Sequence, residues 1–307
     1  MSCLDVSTQL TNWRQEALAN ALHHGIPEEE VDILLEQGLG WSKLDRSLGR
    51  PPFGWDPYLW QRIQAMWQRR LEQRIPLHYL LGYVDWRDLR LRVTPDVLIP
   101  RPETELLVDR VLDWLETHPS AKHQPWIDLG TGSGALALAL AQAGLTVIAV
   151  DISPAALRIA EQNGQSLGLD SRVTFLAGSW FEPLHPWRGE IGGMVANPPY
   201  IPSLLLPDLQ PEVFRHEPHL ALDGGTTGLN ALTHLIAIAP KYLAPAAFWG
   251  VEVMAGQAAW VAAQLLQNPF YADIQIANDL AGIPRFVTAQ IATPPFSTLK
   301  EPDNPSG

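Results

Sequence analysis

Apolar side chains recur along this chain at two different periods, and the change of period divides it. From residue 8 to residue 80 the spacing is helical. Trp13, Ala17, Leu18 and Ala21 fall on one stripe, and Ile26-Pro27-Glu28-Glu29-Glu30 predicts another helix start, with proline and acidic side chains in its first turn. Pro51-Pro52-Phe53-Gly54-Trp55 interrupts the pattern before a helix predicted over Trp60 to Arg74. There Arg62, Arg69, Arg70 and Arg74 stand against a single Glu72 and read as a solvated basic face. From Tyr83 to Val93 the period is two, with Val84, Trp86, Leu89, Leu91 and Val93 spaced as in a hairpin that links two regions.

Beyond Pro102 helix and strand alternate. Helices are predicted over Glu105 to Glu116, Ala135 to Ala143 and Pro154 to Leu167, with strands over Trp126 to Leu129 and Val147 to Val150. Val173 to Ala177, Gly193 to Ala196, Phe248 to Val253, Ile274 to Ala277 and Phe286 to Gln290 supply further strands. Such alternation predicts an α/β fold with a parallel sheet covered on both faces. The boundaries that follow are a helical domain over 1–82, a hairpin linker over 83–100, an α/β domain over 101–292 and a tail over 293–307.

Composition narrows the partners. Lys plus Arg number 21 against 33 Asp plus Glu, a net charge of −12. An acidic field of that size repels a phosphate backbone, so no direct nucleic-acid substrate is expected. Residues 1–80 carry 8 basic and 10 acidic side chains, leaving 13 and 23 for the rest, so the first region meets an acidic partner more readily. Cys3 is the only cysteine, which excludes an intrachain disulfide and fits a reducing compartment. The start lacks a signal-peptide pattern, and the most apolar stretch, Gly134 to Val150, is too short and too interrupted to span a bilayer. A cytoplasmic protein with no membrane partner is expected. The histidines show no ligand spacing, His23 and His24 read as pointing to different helix faces, and no metal is expected.

The chemistry begins at Asp128-Leu129-Gly130-Thr131-Gly132-Ser133-Gly134, where a strand hands over to a helix and glycines let the backbone approach a ligand. The next strand ends in Asp151, 21 residues beyond Gly130, a carboxylate suited to the two hydroxyls of a ribose. Loop and acid together indicate an adenosine-containing cofactor, either NAD or S-adenosyl-L-methionine. The G-x-G-x-G spacing, with Ala135 where a dinucleotide loop has its last glycine, favours the second. Asn197-Pro198-Pro199-Tyr200 follows a strand directly and so lies at the carboxyl edge of the sheet. An amide or aromatic amine is a poor nucleophile because its lone pair is delocalised. The Asn197 side-chain carbonyl and the Pro198 backbone carbonyl can each accept one N–H, and the Pro-Pro pair fixes those carbonyls while the Tyr200 ring packs on the planar group. Orientation then does more than general-base catalysis.

VLIPRPETELLVD, DLGTGSGALALALA, AVDISPAALRIAEQN, AGSWFEPL and NPPYIP, in that order, resemble the release factor glutamine methyltransferase family, called PrmC or HemK. The resemblance covers about residues 10 to 290. It implies a Rossmann-like class I methyltransferase sheet behind a small N-terminal α-helical substrate-recognition domain. It also implies transfer of a methyl group from S-adenosyl-L-methionine to the amide nitrogen (N5) of the glutamine in the Gly-Gly-Gln loop of peptide-chain release factors. Gly130, Thr131, Gly132, Ser133 and Gly134 match the family's cofactor loop, Asp151 the ribose acid and Trp180 the aromatic at the adenine. Asn197, which also borders the cofactor, with Pro198, Pro199 and Tyr200, matches the segment that holds the glutamine amide.

Two segments depart from the family's pattern: Glu252-Val253-Met254-Ala255-Gly256, where the glycine comes late, and Gly282-Ile283-Pro284-Arg285-Phe286, with its proline. Both read as lying away from the methyl-transfer motifs. In Arg101-Pro102-Glu103-Thr104-Glu105, a helix N-cap by Thr104 or an ion pair by Arg101 is expected, and His216-Glu217 reads as surface packing. Two other classes compete with this reading: an adenine amino-group DNA methyltransferase, which the same four residues would serve, and a non-catalytic binding module that retains the fold.

Overall fold

A computed structural model describes residues 3 to 293, so the tail expected over 293–307 lies outside the described residues from position 294 onward. In chain order the helical region holds α1 (Cys3–His24), α2 (Glu29–Ile33) continuing into one π-helical turn (Leu34–Gly38), α3 (Lys43–Ser47), α4 (Pro57–Gln73) and α5 (Leu77–Leu81). A hairpin of β1 (Tyr83–Trp86) and β2 (Leu89–Arg92) follows. Next come α6 (Glu105–Thr117), β3 (Pro125–Leu129), α7 (Ala135–Gln142), β4 (Thr146–Asp151), α8 (Pro154–Ser166), β5 (Val173–Ala177) and β6 (Ile191–Ala196). The remaining described elements are α9 (Pro211–His216), α10 (Asn230–Ile238), β7 (Leu243–Glu252), α11 (Ala258–Gln267), β8 (Tyr271–Asn278) and β9 (Pro284–Ile291). It divides into two compact units: residues up to Val84 with Val93–Pro95 and Asp208–Glu217, and Asp85–Arg92 with Asp96–Pro207 and everything from Pro218.

Local chemistry sets the helix ends of the first unit. Asp56 accepts from Tyr58 N (2.9 Å) with Pro57 at the first helical position, Ser42 accepts from Asp45 N (3.1 Å), and α4 stops where Arg74 turns left-handed (φ 57°). Its core gathers Leu10, Ala17, Ala21, Leu34, Leu35, Trp41, Trp60, Ile63 and Trp67. The solvated basic face expected on α4 is only half present. Arg62 and Arg69 are exposed, but Arg70 is 1% exposed and bonds Glu30 through Nε and Nη2 (2.6 and 2.8 Å) and Glu212 of α9 through Nη1 (2.6 Å). Arg74 joins the same Glu212 (2.6 Å). The reason is helical phase: position 70 continues the stripe of Ile63, Trp67 and Leu71, so Arg70 faces the core and finds carboxylates there, while Arg74, just past the last helical residue, reaches one of them. The rings of His23 and His24 do not diverge as expected but pack edge to face, centroids 5.3 Å apart.

In the second unit seven strands form one sheet in the order β5-β4-β3-β6-β7-β9-β8. β3 through β7 pair in parallel, as the alternation of helix and strand predicts, whereas β9 runs antiparallel to both β7 and β8, so a hairpin completes the sheet. Only Asp279–Ile283 separate β8 from β9, too few residues for a crossover helix, and a hairpin is what so short a link permits. Helices α9, α10 and α11 had no counterpart in the sequence reading. Because the chain leaves β3 for β4 and β5 on one side and returns to β6 on the other, the strand order reverses between β3 and β6. Their carboxyl ends therefore open the crevice where such sheets bind ligands.

Candidate functional site

The loop after β3 is held from beneath. Asp128, 1% exposed, accepts at Oδ2 from Thr131 Oγ1 (2.6 Å) and Ala137 N (3.1 Å), tying the strand end to the first turn of α7. Gly130 N and Thr131 N donate to Val150 O (2.9 and 3.0 Å), and Gly132 N donates to Asp151 Oδ2 (2.8 Å), whose other oxygen accepts from Ser153 N (2.8 Å). Gly134 has φ 88°, and a Cβ there would stand 3.1 Å from Leu138 Cδ1 and 3.2 Å from Ala160 Cβ. Glycine is needed at that position for both backbone and packing. Burial pushes the Asp128 carboxyl up to about 7 against the hydrogen bonds of Thr131 and Ala137, and burial likewise raises Asp151 against those of Ser153 and Gly132.

Six of the expected site residues line one cavity: Gly130, Gly132, Asp151, Trp180, Asn197 and Pro199. Trp180, in a left-handed backbone conformation (φ 51°), brings its ring within 3.7 Å of where a Gly130 side chain would begin. Thr131, Ser133 and Gly134 are not in the cavity wall. Thr131 and Ser133 are buried behind the loop, where Thr131 bonds Asp128 and the Ser133 carbonyl accepts from Asn163 Nδ2 (2.8 Å). Pro198 is buried, and neither it nor Tyr200 lines the cavity. Asp96, Val97 and Leu98 do as well; Val97 and Leu98 open the VLIPRPETELLVD run, and Asp96 precedes it. The glycine-lined wall, with Asp151 in it, fits the adenosine portion of a cofactor.

At Asn197-Pro198-Pro199-Tyr200 and its surroundings the structure departs from expectation. Thr104 heads α6 but makes no side-chain cap; its hydroxyl, 4% exposed residue, donates to Glu252 Oε2 (2.6 Å) and accepts from Asn197 Nδ2 (3.1 Å). The Thr104 backbone is already helical (φ −60°, ψ −21°) rather than extended as a cap requires, and the oxygen that would accept a backbone N–H accepts from Asn197 instead. The second oxygen of Glu252 accepts from Tyr200 Oη (3.2 Å), and Gln257 Nε2 donates to Tyr200 O (2.9 Å) and Gly228 O (3.2 Å). The segment beginning at Glu252 is therefore part of the site rather than away from it. The Pro284-Arg285-Phe286 departure is adjacent too, since Phe286 pairs with Glu252 and Val253 N donates to Arg285 O (2.9 Å). Burial raises the carboxyl of Glu252 while Thr104 and Tyr200 hold it down. Burial, then the Glu252 charge, raises Tyr200. His216 meets Gln73 O (2.9 Å) inside the helical unit, and Glu217 is buried (4% exposed) rather than on the surface as expected.

Among the described residues no group of histidine, cysteine or acidic side chains is placed to hold a metal, and no helix is long and apolar enough to cross a membrane. A family model described as a methyltransferase domain matches residues 120–189. The release factor glutamine methyltransferase of Synechocystis sp. is 47% identical over 290 residues, covering 92% of this chain and 96% of its own. That of Gloeobacter violaceus is 45% identical over 277 residues, covering 90% and 94%. Among solved structures the hMettl16 catalytic domain, in complex with MAT2A 3'UTR hairpin 6, has the same fold with a TM-score of 0.52 at 14% identity, covering 77% of this chain and 82% of that one. With near-complete coverage by relatives at that identity, and with the glycine loop, the acid that ends β4 and Asn197-Pro198-Pro199-Tyr200 gathered at one sheet edge, the chain belongs to the release factor glutamine methyltransferase family.

Proposed function

We propose that this enzyme methylates the side-chain amide nitrogen (N5) of the glutamine in the Gly-Gly-Gln loop of peptide-chain release factors. S-adenosyl-L-methionine, when bound, supplies an electrophilic methyl group carried on a positively charged sulfur. Gly130 to Gly134 would form the loop beside it, Asp151 would accept from the ribose hydroxyls and Trp180 would pack on the adenine. Asn197 Oδ1 and the Pro198 carbonyl accept the two N–H bonds of the glutamine amide, aiming its lone pair out of the amide plane. Pro199 stiffens the turn, and the Tyr200 ring covers the planar group. The helical region, with its exposed Arg62 and Arg69, serves substrate recognition.

The observation that carries this reading is the position of Asn197 and Pro199 in the same cavity wall as Gly130, Gly132 and Asp151. The test is mass spectrometry of a release factor incubated with the protein and S-adenosyl-L-methionine. One added methyl on the Gly-Gly-Gln glutamine is expected. Methylated adenine in duplex DNA with an unmodified release factor would overturn it.

A further inference from the structure

We infer that Thr104 and Glu252 form a positioning relay that fixes which end of the Asn197 side-chain amide faces the substrate. The proposal rests on the amide-holding reading of Asn197 and deepens it. Asparagine is nearly symmetric in shape, so packing alone does not decide between its oxygen and its nitrogen, yet only the oxygen can accept a substrate N–H. Hydrogen-bond polarity decides it. Glu252, 1% exposed, receives a hydroxyl at each oxygen, from Thr104 at 2.6 Å and from Tyr200 at 3.2 Å, so it acts as acceptor on both sides. Thr104 has one proton, and that proton is committed to Glu252; toward Asn197 it can offer only a lone pair. The atom of Asn197 that meets it at 3.1 Å must therefore be Nδ2, which leaves Oδ1 as the free acceptor end.

The same carboxylate holds Tyr200, so one buried group sets the first and last residues of the four-residue segment. The short 3-10 turn Pro102–Thr104, ahead of α6, delivers the threonine to this point. That gives the threonine of Arg101-Pro102-Glu103-Thr104-Glu105 a task in orientation rather than helix capping.

The test compares the full-length parent with Thr104→Val, Thr104→Ser, Glu252→Gln and Asn197→Ala. Single-turnover transfer to a release factor, KM for that factor, calorimetric S-adenosyl-L-methionine affinity and melting temperature are measured on each. Thr104→Val is expected to slow transfer about 10- to 100-fold, the usual loss when a group orienting a reactive residue is removed, with KM and cofactor affinity within twofold of the parent. Thr104→Ser, which keeps the hydroxyl, recovers to within about threefold. Glu252→Gln, which keeps only one acceptor, slows transfer about 10-fold and gives an independent reading if the valine variant does not fold. Parent-like transfer by Thr104→Val, or a loss that Thr104→Ser shares in full, overturns the relay. If Asn197→Ala transfers at the parent rate the amide-holding reading fails as well. If Asn197→Ala is slow while Thr104→Val is not, the relay alone is wrong.

Discussion

The two halves of the site are built differently. The loop around Gly130 to Gly134 is local: its supports are Asp128, Ala137, Val150, Asp151 and Ser153, and most of its bonds involve backbone N–H groups. The amide corner joins side chains from distant segments, with Asn197 and Thr104 93 residues apart, Thr104 and Glu252 148 apart, and Tyr200 and Glu252 52 apart. A backbone cradle tolerates side-chain change as long as its turn survives. A corner of side chains has no such reserve, because each member orients another and removal of one leaves its partner free to rotate. Chemistry should therefore be lost at the corner with binding intact, and binding at the loop with the corner intact.

The largest effect separates them most sharply. Asn197→Ala should lower single-turnover transfer on the order of 10²–10³-fold, by analogy with the loss of a preorganised oxyanion-hole donor, while calorimetric cofactor affinity stays within a few-fold of the parent. A matching drop in affinity would merge the two halves into one. Asp151→Ala should act the other way. It removes the proposed ribose acceptor and also the partner of Gly132 N and Ser153 N, so cofactor affinity should fall by one to two decades, about 1.5–3 kcal/mol, with a modest fall in melting temperature. Unchanged affinity in a calorimetric titration would remove Asp151 from the cofactor site.

Gly134→Ala probes the backbone of the loop alone. A left-handed conformation and two contacts near 3.1 to 3.2 Å should destabilise the fold by about 1–3 kcal/mol, a fall of several degrees by calorimetry. Gly132→Ala, whose added carbon meets nothing within 4 Å, should lose less. Equal losses would mean that strain at φ, not packing, sets the cost.

The smallest effect concerns Asp128, whose carboxyl is raised from 3.8 to about 7 by burial. A folded-state value above the unfolded one favours the protonated form on folding. This group's contribution is thus fully present below about pH 4 and is lost as pH rises through 7. Asp128→Asn, which cannot ionise, should reduce the decline in melting temperature between pH 5 and 7.5 by a few degrees. An identical pH profile in both proteins would show that Asp128 is ionised throughout.

Periodicity and spacing alone determined much of this molecule. Strand runs such as Val147 to Val150 and Val173 to Ala177 are short, apolar and bounded by turn residues, so β4 and β5 are recognisable without coordinates. The loop and Asp151 are recognisable for the same reason that they are local: strand, glycines, helix and next strand follow each other directly. The Asn197 segment is readable as a motif at a strand end. Tertiary structure decided three other things. It turned β9 antiparallel, since a five-residue link leaves no alternative, and it placed Arg70 in the core, where its helical phase brought it against Glu30 and Glu212. It also brought Thr104, Glu252 and Gln257 together at the site, a meeting that no local pattern announces. Their roles depend on which strand ends the sheet order brings side by side, and strand order is set by burying one apolar surface over the whole domain rather than by any short run of residues.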